Sequence, residues 1–349
     1  MHGARRARTK YIPGSRTAIA ELPYYAVVIS EHQRSDVIKE TIVFDTLKKF
    51  MRFTGCIIVA ALVGTAPAVA AEAKIDTDKI EKITGMKGTY SQEENVFKVT
   101  VPRTDVQVQV DGWTLPPFMG LGPWAAFTPH GSHMMVMGDI VLFQDEVNPV
   151  MSAALDAGLG VTALHNHFFY DEPKVYFMHI GGEGDVDAMA TGVRKVFDKI
   201  KEIRAANAQP SASFAGPKMP AQSSITAQPL EDILGSKGQS SNGMLKVVVG
   251  KTIKMHGASV GKEMGVNTWA AFAGSDDNAV VDGDFAMAEN ELQAVLKAMR
   301  KAGINIVAIH HHMSEEQPRI LFLHYWGRGK APDLARAIKT TLDAQATVR

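Results

Sequence analysis

The sequence predicts an α+β protein made of two tandem homologous units, each a mainly antiparallel sheet with helices packed on one face. Three observations carry that prediction. Trp124-Ala125-Ala126-Phe127 recurs as Trp269-Ala270-Ala271-Phe272, and at the same 145-residue offset Gly138-Asp139 meets Gly283-Asp284, Ala157-Gly158 meets Ala302-Gly303, and Pro173 meets Pro318. Each copy shows short β-branched or aromatic runs and helical stretches in the core order β-α-β-β-α. Between the copies, residues 204 to 229 are rich in Ala, Ser, Pro and Gln with few large apolar side chains, which is linker composition. The units are placed at 80 to 203 and 230 to 349.

In chain order, Met51 opens a segment that reads as a signal peptide over residues 51 to 70. Lys48, Lys49 and Arg52 supply positive charge, Cys56 to Val63 is an apolar run too short to span a bilayer, and Ala68-Val69-Ala70 is a small-residue cleavage pattern. Residues 1 to 50 then read as a mis-assigned upstream extension. The alternative is a genuine extension with residues 53 to 70 as an uncleaved anchor. Cys56 is the only cysteine and precedes the apolar run, the reverse of the order that lipid attachment needs. A chain starting at Ala71 has no thiols, which excludes disulfides and thiolate ligands. The expected address is periplasmic or secreted, with no stable membrane span in the mature form.

Within the first unit, Phe97 to Val101, Val106 to Val110 and His133 to Phe143 read as strands, and Gly138 inside the third reads as a bulge. Asp145 and its counterpart Asn290 are natural N-caps for the next helix, the latter with Gln293 completing a capping box, and Gly158 or Gly303 ends it. Val161 to Phe168 and Lys174 to Ile180 form a hairpin around Asp171-Glu172-Pro173. Asp185 to Ile200 closes the unit as a helix with Val186, Met189, Val193, Val196, Phe197 and Ile200 on one face, and Pro332-Asp333 starts the matching helix.

From Ala71 onward there are 27 basic and 32 acidic residues with no basic cluster, which argues against nucleic acid as a partner. No nucleophile elbow, P-loop, dinucleotide fingerprint or His-Glu-x-x-His helix is present.

The chemistry lies in histidines. His165-Asn166-His167 with His179 returns as His310-His311-His312 with His324, so six histidines form a repeated set. On a strand His165 and His167 share a face. A loop of odd length centred on Pro173 pairs His179 directly with His167, and a turn one residue shorter sets it against Asn166. On a shared face, three neutral nitrogens per unit suit a divalent transition metal, zinc first and copper or iron next. Asp171 and Glu316 at equivalent hairpin positions can act as a fourth ligand or general base, and so can Asp139 and Asp284. The competing reading makes these histidines structural. His130, His133, Met134, Met135 and Met137 form a second group of soft donors, although alternating methionines usually mean strand core. Trp124 and Trp269 read as core or interface aromatics.

The paired Trp-Ala-Ala-Phe, Gly-Asp and His-x-His segments resemble the LppY/LpqO family of exported bacterial proteins, built from a domain of unknown function that is often present twice. The resemblance covers residues 80 to 349. It implies an exported two-unit protein and brings no established activity. Two functions follow as expectations: a metal-binding protein or metal-dependent hydrolase, or a non-enzymatic envelope module that binds a small-molecule or cell-envelope ligand.

Overall fold

The computed structural model describes residues 74–348, so the signal segment and the stretch upstream of it lie outside the described residues. The first copy runs α1 (Thr77–Thr84), β1 (Gly88–Ser91), β2 (Val96–Thr100), β3 (Gln109–Val110), β4 (Trp113–Thr114), β5 (Trp124–His130), β6 (His133–Phe143), α2 (Gln144–Asp156), β7 (Gly160–His165), β8 (Asp171–Glu172), β9 (Val175–Gly184) and α3 (Val186–Ala206). The second repeats that order as α4 (Ala227–Leu234), β10 (Gly238–Ser241), β11 (Met244–Gly250), β12 (Ile253–Met255), β13 (Ala258–Val260), β14 (Asn267–Ser275), β15 (Asn278–Ala288), α5 (Leu292–Lys301), β16 (Asn305–His310), β17 (Glu316–Gln317), β18 (Ile320–Gly329) and α6 (Ala331–Ala346).

Twelve strands form one sheet in the order β1-β2-β5-β6-β9-β7-β16-β18-β15-β14-β11-β10, which reads the same from either end and places a pseudo-twofold between β7 and β16. All six helices of the described residues pack on one face, where a single core runs from Ile80 and Val147 in the first copy to Val295 and Ile338 in the second. On the other face, β4-β3-β8 and β13-β12-β17 form small sheets over separate cores around Phe143 and Phe177, and around Phe322 and Ile320. Beyond these small sheets that second face carries no α-helix among the described residues, only a 3-10 turn (Lys262–Met264), and it is where the histidines stand.

The copies meet through one backbone pair, Leu164 with Ile309. Past that pair each central strand lacks a neighbour, and a side-chain amide from the opposite copy takes its place. Asn148 on α2 accepts from the Ile306 N–H at 2.7 Å and donates to its carbonyl at 3.1 Å, while Gln293 on α5 accepts from the Val161 N–H at 3.0 Å and donates to its carbonyl at 2.8 Å. The two amides occupy equivalent positions, so the staple is reciprocal.

Several local expectations are corrected. Gly138 does not mark a bulge: β6 pairs without a break with β5 and β9. The glycine is needed because a Cβ there would sit 2.8 Å from the Trp124 carbonyl oxygen and 3.0 Å from Ile180, and at Gly283 it would meet the Tyr325 hydroxyl at 2.2 Å. The register shifts lie instead at Val161/Ala163 and Ile306/Ala308. Asp145 and Asn290 are not N-caps, because α2 starts directly from the end of β6 and a short 3-10 turn (Glu289–Glu291) leads from β15 into α5. Glu146 and Glu291 reach back to the Phe143 and Ala288 N–H groups at 2.8 and 2.7 Å. Trp124 and Trp269 stay partly exposed on the helix-free face, beneath the Lys98 and Lys246 ammonium groups at 4.2 and 4.1 Å.

Candidate metal centre

In the first copy Ala163 stands opposite His179, His165 opposite Phe177, and Asp139 opposite His179. The hairpin is therefore centred two residues earlier than Pro173, and His179 is diagonal to His165 rather than opposite His167. Because the offset is even, parity survives and Asp139, His165, Phe177 and His179 share the helix-free face. The second copy repeats the arrangement, with Asp284 and Ala308 opposite His324 and His310 opposite Phe322. Beyond each strand end the last histidine folds back over a phenylalanine: His167 on Phe177 at 3.4 Å between ring centroids, His312 on Phe322 at 3.5 Å.

The copies then diverge. In the first, His165 Nε2 lies 3.0 Å from His179 Nε2, and His167 stacks on His165 at 5.2 Å. In the second, His312 Nε2 lies 3.1 Å from both His310 Nε2 and Asp284 Oδ2. Among the described residues, Asp284, His310 and His312 alone bring three such donor atoms within 4.8 Å of one another. His324 stands beside them, its ring 4.6 Å from that of His310. Its Nδ1–H donates to the Gly283 carbonyl at 3.3 Å, which leaves Nε2 with its lone pair. His311 is exposed.

Burial, reinforced by the three neighbouring imidazoles, lowers the His310 pKa from 6.5 to about 4, so this ring is a neutral donor at pH 7. Burial also pushes the Asp284 carboxyl above its usual range against the pull of His324 and His312, and its Oδ1 is buried without a donor. His167 is lowered by burial and by His165.

Asp171 and Glu316 serve their own loops. Asp171 accepts from the Val175 N–H at 2.7 Å and pairs with Lys174 at 2.6 Å, and Glu316 accepts from the Ile320 N–H at 2.9 Å. Burial would raise the Glu316 carboxyl, yet the N–H groups of Ile320 and of Glu316 itself hold it below the usual range. The acids that the structure sets among the histidines are Asp139 and Asp284, and of the two Asp284 contacts an imidazole nitrogen directly.

Two cavities flank this group. One of about 420 Å³ lies over Asp284, His312 and Lys262. The other, about 800 Å³, is walled by His324, Trp326, Arg328, Tyr176, Phe214 and Met219, and Trp269 borders both. The connecting segment forms one side of it: Arg328 donates to the Pro217 carbonyl, and Asn278 to the Lys218 carbonyl at 3.0 Å. Sequence reasoning missed this cavity, although the repeat held a signal. Trp326 and Arg328 replace Gly181 and Glu183, so the copies differ where the wall forms.

Fold and site together define a tandem α+β protein with a group of two histidines and one carboxylate, Asp284, His310 and His312, in its second copy. Residues 78–199 and 228–344 each match the family described as Domain of Unknown Function (DUF1259), so the chain belongs to that family and carries its domain twice. No curated protein matches the sequence significantly. Among solved structures, it is similar to the trimeric bacterial microcompartment shell protein PduB (12% identity, TM-score 0.17, covering 74% of this chain and 89% of that one). It is also similar to the fused permuted hexameric shell protein MSM0275 of the RMM microcompartment (14%, TM-score 0.18, 62% and 87%). A third is the double-ringed trimeric shell protein MSM0271 (14%, TM-score 0.19, 64% and 86%). Superpositions this loose assign no role. No helix of the described residues is long and apolar enough to cross a membrane.

Proposed function

We propose that the protein is an exported member of the LppY/LpqO group that binds a divalent transition metal, zinc before copper or iron, through Asp284, His310 and His312. The observation that carries this reading is the convergence of Asp284 Oδ2 and His310 Nε2 on His312 Nε2, each at 3.1 Å. One imidazole nitrogen holds one proton and can satisfy only one of these neighbours. A cation among the three satisfies them all. Two imidazoles and a carboxylate leave an open coordination position, which suits a hydrolase in which the ion polarises water and Asp284 has lost its proton. The leader-like residues 51 to 70 and the absence of later cysteines support the periplasmic or secreted address.

A second reading has its own observation: the cavity of about 800 Å³ with aromatic walls beside His324 fits an envelope module that binds a small molecule. The test is metal content by mass spectrometry on protein purified without a histidine tag. Near-stoichiometric metal that disappears in His310→Ala/His312→Ala supports the metal site. No metal after reconstitution with zinc, copper and iron leaves the binding module.

A further inference from the structure

The helix-free face of the first copy carries a donor set that the proposed centre does not use. On β6 the side chains of His133, Met135, Met137 and Asp139 alternate onto that face, while Met134 points into the core. Met134 is 8% exposed, but Met135 is 36% and Met137 61% exposed, so the ordinary core explanation for a methionine run holds for Met134 alone.

Beside them, His130 stands opposite His133 at the end of the β5–β6 hairpin, and its Nδ1 lies 2.9 Å from Glu183 Oε1. Glu183 is on β9, opposite Met135, so this contact reaches from β5 over β6. The His130 ring therefore lies above the strand that presents the thioethers. A carboxylate only accepts, so Nδ1 carries the hydrogen and Nε2 keeps a lone pair, the arrangement in which an outer carboxylate orients an imidazole for a metal. Gly181, opposite Met137, leaves the face open there.

The fold does not require these residues. The second copy has Val280, Asp282, Trp326 and Arg328 where the first has Met135, Met137, Gly181 and Glu183, and it pairs and packs the same strands.

We infer that this face binds Cu(I) through His130 Nε2 and the sulfurs of Met135 and Met137, with Glu183 as a positioning residue. Neutral thioethers are soft donors that select a monovalent d¹⁰ ion over zinc, whereas Asp284 gives the other centre a hard oxygen. The two sites share no residue, so either can fail alone.

The test is an anaerobic Cu(I) titration of the untagged protein against a chromogenic chelator, with Ag(I) as the probe in ¹³C-methyl methionine spectra. The expected result is one Cu(I) per chain with shifts confined to the Met135 and Met137 methyls. Met135→Leu/Met137→Leu, which keeps volume, abolishes binding, and Glu183→Gln weakens it roughly 10–100-fold. Asp284→Asn/His312→Ala leaves it unchanged. Chelator retaining all the copper, a leucine variant that binds like the parent, or loss of Cu(I) in the Asp284→Asn/His312→Ala protein overturns the inference.

Discussion

The two copies of one hairpin place the same residue types at the same ladder positions and still make different chemistry. In both, the aspartate Oδ1 is buried without a donor, but in the first His165 Nε2 faces His179 Nε2. In the second, His312 turns its Nε2 onto Asp284 and His310 together. A shared backbone fixes which face a side chain occupies, and a rotation of one imidazole decides whether three donors converge. The surroundings differ in the same sense: the connecting segment and Trp326 wall in the second copy's face, and the first copy's stays open.

The most forceful way to break this comparison is to remove the equivalent acid from each copy. Asp284→Asn lowers metal affinity by more than the roughly 10–100-fold that outer-shell changes cost, while Asp139→Asn leaves it within a few-fold. Equal losses, read by competition with a chelator of known affinity, show that the copies act alike and that the distinction is wrong.

The amide staple sharpens the comparison from the side of stability. Asn148→Ala leaves the Ile306 N–H and carbonyl unpaired and costs about 1–3 kcal/mol. Gln293→Ala at the partly exposed equivalent costs less, because water can replace its bonds to Val161. Urea denaturation checks both, and a single shared transition is expected since one core spans the copies.

Acid tests the second copy directly. The folded protein holds His310 at about 4 against 6.5 in the unfolded chain, so between those values the unfolded chain takes up a proton that the fold refuses. Stability is retained above pH 6.5 and falls as pH drops toward 4, and His310→Asn flattens that slope in thermal melts. Asp284 titrates with the opposite sign: its raised carboxyl contributes stability below 3.8, lost as pH rises through the folded value. Metal-free Asp284→Asn therefore melts higher than the parent at pH 7 and gains nothing from added zinc. An unchanged midpoint contradicts the burial cost assigned to this carboxylate.

The repeat at offset 145 and the period-2 runs made the α+β architecture and its antiparallel strands readable, because both follow from local pattern. The family match, over residues 78–199 and 228–344, supports the tandem repeat itself. Hairpin register was not readable: the residues between His165 and Val175 include β8, which leaves the hairpin to pair with β3, so loop length did not report where the ladder is centred. The sequence offers Asp284 only alongside Asp139, Asp171 and Glu316, and no local pattern separates it from them. Asp284 lies 26 residues before His310, and only the β15–β18 ladder brings it beside His324. The sequence assigns Gln293 to a capping box and gives Asn148 no role, since the partners of both amides belong to the other copy.

The smallest expected effect concerns the hairpin acids that sequence reasoning favoured for catalysis. Asp171→Asn keeps an oxygen for the Val175 N–H and loses the pair with the part-exposed Lys174, a change of about 0–1 kcal/mol. Glu316→Gln keeps an oxygen for the Ile320 N–H but gives up the charge that the Ile320 and Glu316 N–H groups favour, so a small loss of stability is expected. Neither carboxylate has a spare oxygen directed at an imidazole by any hydrogen bond or ion pair of the described residues, so both variants retain full metal content. A Glu316→Gln protein that folds like the parent yet loses its metal returns Glu316 to the coordination sphere. The second copy then differs from the first through its loop acid, and Asp284 becomes a buried structural carboxylate.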